Sequence, residues 1–224
     1  MSATTRGGWE PTGTAAGRRA SIEATPGPKA QRTRARLLAA ARHVFARHGY
    51  ANTTVDLVVA EAGLARGGFY TYFESKADLF RHLTATIDTE VDREVASIDR
   101  DPGGDLVDNL DRSNRQYLAV VRRNADLYQL VDQVAAHDPD VAKARLRSRQ
   151  RHVTRVTNSI RRWQARGLAD PELDPAITAA ALVTMMSGFA QWQYVAGDTY
   201  EDEEIAVALT RIWVNACGLR SVPQ

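Results

Sequence analysis

The chain has 224 residues, of which 44% are hydrophobic, and a formal net charge of +2. These values are typical of a globular protein with one or two domains. Its single cysteine, Cys217, excludes an intramolecular disulfide and a cysteine-cluster zinc site. The N-terminal segment lacks the apolar core of a secretory signal, so we expect a cytoplasmic protein.

Residues 1–28 are rich in Gly, Ala, Thr, Pro and Arg, and Trp9 and Ile22 are their sizeable apolar side chains. Such a segment buries too little surface to offset the entropy lost on ordering. We therefore predict a disordered tail, whose basic residues would also suit a partner-binding arm.

After residue 28 the sequence predicts helices throughout, because no segment alternates apolar and polar residues with the period of a strand. Residues that start or end helices occur frequently, and they divide the chain into about nine helices in an all-α fold. These residues are Gly49, Gly63, Pro102-Gly103-Gly104, Gly167, Asp174-Pro175, Gly197 and Gly218.

Two segments carry basic residues and no acidic ones. Residues 29–55 hold six Lys and Arg, and residues 143–166 hold nine. Such a block suits nucleic acid, and a solvated helix face is the common alternative. For Arg32, Arg34 and Arg36 the alternatives are phosphate contact and plain solubility. For residues 143–166 they are a solvated helix and contact with an anionic inducer, such as the phosphates of an acyl-coenzyme A thioester.

Residues 32–80 predict a helix-turn-helix. Leu37, Ala41, Val44 and Phe45 form an apolar stripe on a basic first helix. Thr53 and Asp56 fit a capping box that opens a short second helix, and Gly63 suits its end. A third short helix is predicted to begin near Ala65. Two short helices joined by a tight turn after a basic helix are the layout of this DNA-binding motif.

In the third helix, Phe69 and Phe73 are four residues apart and are predicted to face inward. Gly67 and Gly68 would let the backbone approach a DNA strand, and tyrosine hydroxyls donate to phosphates. Ser75 is predicted to cap the next helix. Lys76 then lies in its first turn, where the helix dipole disfavours a cation, so we expect Lys76 to have another partner.

The sequences at residues 53–55, 62–64 and 67–76 closely resemble the TetR family of bacterial regulators. This resemblance implies a homodimeric, all-helical repressor that binds a double-stranded DNA operator and a small inducer. Ala65 and Gly68 depart from the family pattern of a capping and a base-contacting side chain. The predicted DNA contacts are Thr54, Arg66, Gly67, Gly68, Tyr70, Thr71, Tyr72 and Lys76, together with Arg32, Arg34 and Arg36.

The resulting domain prediction assigns residues 29–75 to DNA binding and residues 76–224 to ligand binding and dimerisation. We predict the dimer interface on the helices at 175–196 and 201–217, because small residues there permit close packing. Residues 175–197 are uncharged, but their polar side chains and alanines indicate a buried helix and no membrane span. The small interface residues are Ala179, Ala180, Ala181, Ser187, Gly188 and Ala190.

Soft and aromatic side chains in the second domain predict a pocket for an apolar ligand. No catalytic, metal-binding or cofactor motif is apparent, so no enzyme, metal or cofactor is expected. The alternative function is an all-α carrier or enzyme that uses its basic surface for an anionic substrate. The predicted pocket residues are Tyr117, Tyr128, Trp163, Met185, Met186, Phe189 and Trp192.

Overall fold

A computed structural model describes residues 27–95, 105–197 and 199–219. The predicted disordered tail lies outside these residues, apart from its last two positions, and so does the predicted break at 102–104. The chain divides into two compact units between His82 and Leu83. We call these the N-terminal unit and the C-terminal unit.

The all-α fold class is confirmed, since the described residues contain nine α-helices and no strand. The predicted glycine stops at 49, 63, 167, 197 and 218 all have positive φ, which glycine adopts without strain. The helices are α1 Pro28–Asn52, α2 Val55–Glu61, α3 Arg66–Phe69, α4 Lys76–Val95, α5 Leu106–Arg123, α6 Ala125–Ala135, α7 Pro139–Ala165, α8 Pro175–Gln191 and α9 Asp202–Cys217.

Aromatic rings hold the N-terminal unit together around α1. The ring of Phe45 stacks on Tyr50 at 5.6 Å and meets Phe80 edge-on at 5.3 Å, both between centroids. Leu37 and Ala41 complete the apolar stripe of α1 and are fully buried, as its spacing predicts. The stripe therefore fixes which face of α1 packs inward and which face carries its basic residues.

The start of α2 differs from the sequence prediction by one residue. Thr54, rather than Thr53, is the N-cap, and its hydroxyl accepts from the Leu57 amide at 3.3 Å. Thr53 is buried, and its hydroxyl donates to the Gly49 carbonyl at 2.7 Å. Two adjacent threonines offer the same capping chemistry, and the tight turn after Gly49 decides between them by burying the first.

The core of the C-terminal unit lies between α5, α7, α8 and α9 and includes Leu110, Ile160, Leu182 and Leu209. The predicted cap of α8 is confirmed, because Asp174 accepts from the amides of residues 176 and 177 at 2.8 Å. Beyond Gln191 the chain continues as one π-helical turn, Trp192–Ala196, instead of the regular helix predicted to residue 196. Within the described ranges, no helix is both long enough and apolar enough to cross a membrane.

Candidate nucleic-acid interface and ligand cavity

The recognition segment, residues 66–73, comprises α3 and the turns that follow it. Phe69 and Phe73 are fully buried, with ring centroids 5.8 Å apart, and the ring of Tyr70 meets Phe69 edge-on at 5.3 Å. The predicted inward orientation of both phenylalanines is thus confirmed. They anchor a helix that is too short to be stable through its own backbone hydrogen bonds.

The other side of the recognition segment is accessible. A Cβ atom added to Gly67 or Gly68 would meet no atom within 4 Å, so internal packing does not require glycine at either position. The bare backbone instead leaves room for something outside the chain. As expected, Ala65 provides no side-chain cap. Arg66 and Gly67 are exposed, and Gly68, Tyr70, Thr71 and Tyr72 are partly exposed.

Arg66 and Asp56 form an ion pair on this surface. One guanidinium nitrogen of Arg66 lies 2.9 and 2.7 Å from the two carboxylate oxygens. The Tyr70 side chain and then Asp56 raise the pKa of Arg66 above its ordinary value. Both members of the pair are largely exposed, so the pair orients the arginine and contributes little to stability.

Lys76 has the separate partner that its unfavourable place in the first turn predicts. Its amine donates to the carbonyls of Tyr50 and Ala51 at 2.7 and 3.3 Å, and lies 4.5 Å from the Tyr50 ring centroid. These carbonyls end α1, where the helix dipole favours a cation. Lys76 therefore fastens the start of α4 to the end of α1, and burial lowers its pKa.

Two of the three predicted N-terminal arginines make internal contacts that the sequence does not indicate. Arg36 donates to the Ala62 carbonyl at 2.6 Å and so satisfies the C-terminal end of α2. The Arg34 guanidinium lies 5.5 Å from the centroid of the Phe73 ring, within cation–π distance. Arg32 is exposed on α1. The structure thus gives Arg34 and Arg36 a role in holding the motif together.

A cavity of about 810 Å³ lies inside the C-terminal unit. Side chains from α4, α5, α6, α7, α8 and α9 line it, and most of them are apolar. The volume falls within the range of small-molecule sites, which bury most of a ligand's surface. The arrangement therefore suits a largely apolar molecule.

Four of the seven predicted pocket residues line this cavity, namely Tyr117, Tyr128, Trp163 and Met186. The two tyrosine hydroxyls make no hydrogen bond with the described residues. Burial raises the pKa of Tyr117 to about 12 and raises that of Tyr128 further. Both phenols are therefore neutral hydroxyl groups that can donate to a ligand.

The other three predicted pocket residues lie outside the cavity lining. Met185 and Phe189 pack at the edge of the core, and the Phe189 ring lies 6.0 Å from Tyr200. Trp192 is 65% exposed in the π-helical turn. The change of helical pitch after Gln191 turns this aromatic residue outward, which the sequence spacing does not reveal.

The sequence prediction missed the polar residues of the cavity, chiefly His152, Arg155 and Trp213. His152 and Arg155 belong to α7, where ion pairs join it to α4. Arg155 pairs with Asp92 at 2.6 Å and Arg151 pairs with Asp88 at 2.8 Å. The two aspartates are four residues apart, and so are the two arginines. This matching spacing is the sequence signal that could have indicated the two ion pairs. The basic helix therefore also pairs with acidic side chains of the chain itself, an outcome that differs from both a solvated helix and contact with an anionic inducer.

The helices predicted as a dimer interface carry exposed apolar side chains. Ile177 is 72% exposed on α8, and Val207 and Ile212 are about half exposed on α9. Of the small residues predicted to meet a partner, Ala179 and Ala190 are instead fully buried in the chain's own core. Ser187 and Gly188 line the cavity, and Ala181 is exposed. The larger exposed apolar side chains, and not the small residues, therefore form most of the apolar surface that these helices offer to a partner.

Among the described residues, no cluster of three or more His, Cys, Asp or Glu side chains is placed to hold a metal ion.

Family models match most of the chain. Residues 37–83 match the model described as bacterial regulatory proteins, tetR family. Residues 105–214 match the model described as tetracyclin repressor-like, C-terminal domain. The first match ends at Leu83, one residue past the N-terminal unit, and the second lies within the C-terminal unit.

Curated relatives are similar over different lengths. The chain is 27% identical over 163 residues to the HTH-type transcriptional repressor SCO4008 of Streptomyces coelicolor, covering 73% of this chain and 79% of that protein. It is 41% identical over 66 residues to the uncharacterized HTH-type transcriptional regulator YfiR of Bacillus subtilis, covering 30% of this chain and 31% of that protein. The match to YfiR thus spans less than a third of its length.

Solved structures show the same fold. The fatty acid degradation regulator FadR from Bacillus halodurans superimposes with a TM-score of 0.68 at 17% identity, covering 87% of this chain and 98% of that chain. SmeT, the repressor of a Stenotrophomonas maltophilia multidrug efflux pump, gives a TM-score of 0.68 at 19% identity, covering 82% and 89%.

Proposed function

Because this chain belongs to the TetR family of bacterial regulatory proteins, we propose that it is a ligand-responsive DNA-binding transcriptional regulator, acting as a repressor. The observation that carries the proposal is the recognition segment. Two buried phenylalanines hold a short helix whose opposite side has two glycines, two tyrosines and a threonine in reach of a partner. This arrangement suits insertion into the major groove of DNA.

In this proposal the predicted DNA-binding residues divide into two groups. The first group touches DNA: the Tyr70 and Tyr72 hydroxyls donate to phosphates, and Gly67 and Gly68 let the backbone come close. Arg66 and Thr71 reach base edges, and Thr54 and Arg32 contact phosphates. The second group positions the motif through the internal contacts already described, and consists of Arg34, Arg36 and Lys76.

The regulator acts as a homodimer through α8, the turn after it and α9. The exposed apolar side chains of these helices support this assignment. A two-fold dimer presents two recognition segments to successive major grooves of a palindromic operator. In the domain assignment, residues 29–75 bind DNA and residues 76–224 bind ligand and form the dimer.

A small hydrophobic inducer, of which an acyl-coenzyme A is one candidate, binds in the cavity and releases the operator. The helix α4 begins at Lys76 beside the motif and continues to cavity-lining residues from Thr84 onward. It is therefore the element through which occupancy can affect DNA binding. The ligand shifts the equilibrium by the difference in its affinity for the two conformations.

The names of the similar proteins favour a regulator over a carrier or an enzyme, because each is called a transcriptional regulator or repressor. They do not identify the ligand, because FadR is named as a regulator of fatty acid degradation, whereas SmeT is named as the repressor of a multidrug efflux pump. A regulator of this kind works in the cytoplasm, where bacterial DNA lies.

The test is a gel-shift titration with the DNA upstream of the protein's own gene. We expect tight retardation by the wild-type chain, weakened strongly as salt rises because phosphate contacts release counterions. Tyr70→Ala removes a hydrogen bond to a charged phosphate and should lower the affinity by about tenfold or more.

Arg161→Ala is the matched control, because it removes an exposed charge from α7, outside the motif. It should leave the affinity unchanged. Circular dichroism checks that both variants fold. Equal binding by wild type and Tyr70→Ala, or wild-type binding no tighter than to unrelated DNA, would contradict the proposal.

A further inference from the structure

Three buried nitrogen atoms of cavity-lining residues make no hydrogen bond within the part of the chain that the structure describes. They are Nε2 of His152, Nε of Arg155 and Nε1 of Trp213. Trp213 is 96% buried, since only 4% of its surface is exposed, so its N–H has no access to bulk water. A buried donor without a partner is costly, and such groups in a folded protein call for an explanation. A ligand with acceptor oxygens would supply the missing bonds.

Arg155 is the charged member of this group, and Asp92 uses one end of its guanidinium. A terminal nitrogen donates to Asp92 Oδ1 at 2.6 Å, while the Nε edge is unbound. The guanidinium is a rigid planar fork with five N–H groups, so a second acceptor can bind along its free edge. His152 lies near the same place, with Nε2 3.6 Å from Asp92 Oδ1.

The charges around the cavity favour a single negative charge on the ligand. Arg145 pairs with Asp132 at 2.7 Å, and the Asp88 and Asp92 carboxylates pair with α7 arginines. Arg149 lines the cavity, and its guanidinium donates to the Thr184 hydroxyl at 2.9 Å without a carboxylate. Among the described residues the excess positive charge of the lining therefore lies on Arg149, whereas the buried N–H that can bind an anion directly belongs to Arg155.

From these observations we infer that the ligand is an apolar molecule with a single anionic group, which binds at the free edge of Arg155 beside His152. Trp213 donates to a further acceptor oxygen of the same ligand. The apolar remainder packs against side chains such as Ile87, Val121 and Val183. A coenzyme A thioester, with several phosphate charges, fits this charge balance less well. The inference rests on the proposed function in taking this cavity as the ligand site.

The experiment compares three C10 amphiphiles that differ in the head group: decanoate, decanol and decyltrimethylammonium. Each is titrated below its micelle concentration into the full-length protein by isothermal titration calorimetry, with decanoyl-coenzyme A as a fourth probe. We expect decanoate to bind at least about tenfold more tightly than decanol, because a hydrogen bond to an ionised group is among the stronger ones. The cationic probe should bind most weakly of the three.

Arg155→Met and Arg151→Met are the matched variants. Each removes an arginine of α7 that pairs with a carboxylate of α4, and of the two only Arg155 lines the cavity. Arg155→Met should abolish the preference for decanoate over decanol, and Arg151→Met should retain it. Trp213→Phe should weaken decanoate binding and keep the preference.

Several results would overturn the inference: equal wild-type affinities for decanoate and decanol, binding of none of the probes, tighter binding of the thioester than of the acid, or loss of the preference in both arginine variants. The comparison of head groups on the wild-type chain needs no variant to fold. Gel shifts measured on the same preparation separate this inference from the proposed function. A chain that binds its upstream DNA and shows no preference for the anion would contradict the inference alone.

Discussion

The two units of the molecule treat their polar groups in opposite ways. In the N-terminal unit, Arg36 and Lys76 donate to backbone carbonyls and Arg66 pairs with Asp56, close to the surface proposed to meet DNA. In the C-terminal unit, buried nitrogens of Arg155 and Trp213 beside the cavity make no hydrogen bond with residues 27–95, 105–197 or 199–219. Polar side chains with internal hydrogen-bond partners hold a surface in one shape. Buried polar groups without such partners, when they line a cavity, indicate which complementary groups a ligand carries.

The units also differ in how far apart in sequence their site residues lie. The proposed DNA-contacting surface comes mainly from one short stretch between Thr54 and Tyr72. The cavity draws on six helices, from Thr84 in α4 to Trp213 in α9. Local spacing is therefore sufficient to define the first site, and the second exists only after long-range packing.

Phe73→Ala should give the largest effect, and it tests whether the recognition segment depends on its buried anchors. The ring is fully buried, so truncation removes apolar contacts and leaves a cavity. We expect a loss of about 3–5 kcal/mol in the unfolding free energy of the N-terminal unit. Urea unfolding followed by circular dichroism measures it.

Leu57→Ala is the control for this prediction, since Leu57 is a comparably apolar residue of the same unit that is 39% exposed. Its loss should stay below about 1 kcal/mol. Similar losses of unfolding free energy in both variants would show that Phe73 stabilises the N-terminal unit no more than a partly exposed leucine does.

Gly67→Ala should separate folding from DNA binding in the N-terminal unit. The added methyl group meets no atom of the chain, and alanine favours a helix over glycine by up to about 1 kcal/mol. Thermal unfolding should therefore show unchanged or raised stability. The gel shift should show affinity lowered by several fold, because the methyl group would occupy space where the backbone approaches DNA.

Gly63→Ala is the control, because the structure requires glycine at this position. Gly63 has a φ of +61°, and a Cβ atom there would lie 3.3 Å from the Arg36 side chain. That variant should lose stability. A Gly67→Ala protein that binds DNA as well as wild type would remove the argument for close backbone approach.

Sequence patterns predicted the N-terminal unit well because its determinants are local. The spacing of Phe69 and Phe73 fixed their inward face, and the helix dipole at Lys76 correctly indicated a separate partner. The prediction chose the wrong cap, Thr53, because adjacent threonines have identical chemistry. The contacts of Arg34 and Arg36 depend on which turn of the motif each arginine faces. Their charge alone therefore left phosphate contact and plain solubility as alternatives.

In the C-terminal unit, sequence patterns predicted the helices and the apolar character of the pocket, but not the polar lining of the cavity. Aromatic composition suggested Trp163 and Met186, which line it, and Trp192, which does not. A π-helical turn depends on tertiary packing, so its effect on Trp192 has no local signal. His152 and Trp213 resemble ordinary helix residues until the other helices surround them.

The smallest effect concerns the pH dependence of the C-terminal unit. Burial chiefly, and then the positive charge of Arg155, lower the pKa of His152, while Asp92 and Asp88 oppose this shift. Between that lowered pKa and the ordinary value of about 6.5, the unfolded chain binds a proton that the folded chain does not. Stability is therefore greatest above about pH 6.5 and decreases as the pH falls below it.

His152→Gln should remove this part of the pH dependence, because glutamine does not titrate. Melting temperatures of wild type and variant, measured from pH 7.5 to 5.5, should converge toward the acidic end if the buried imidazole is responsible. His48→Gln, at an exposed position of α1, is the control and should follow the wild-type curve. Parallel curves for wild type and His152→Gln would mean that the imidazole is no harder to protonate in the folded chain than in the unfolded one. The contrast between the internally bonded Arg36 and Lys76 of the N-terminal unit and the incompletely bonded cavity would then rest on Arg155 and Trp213 alone.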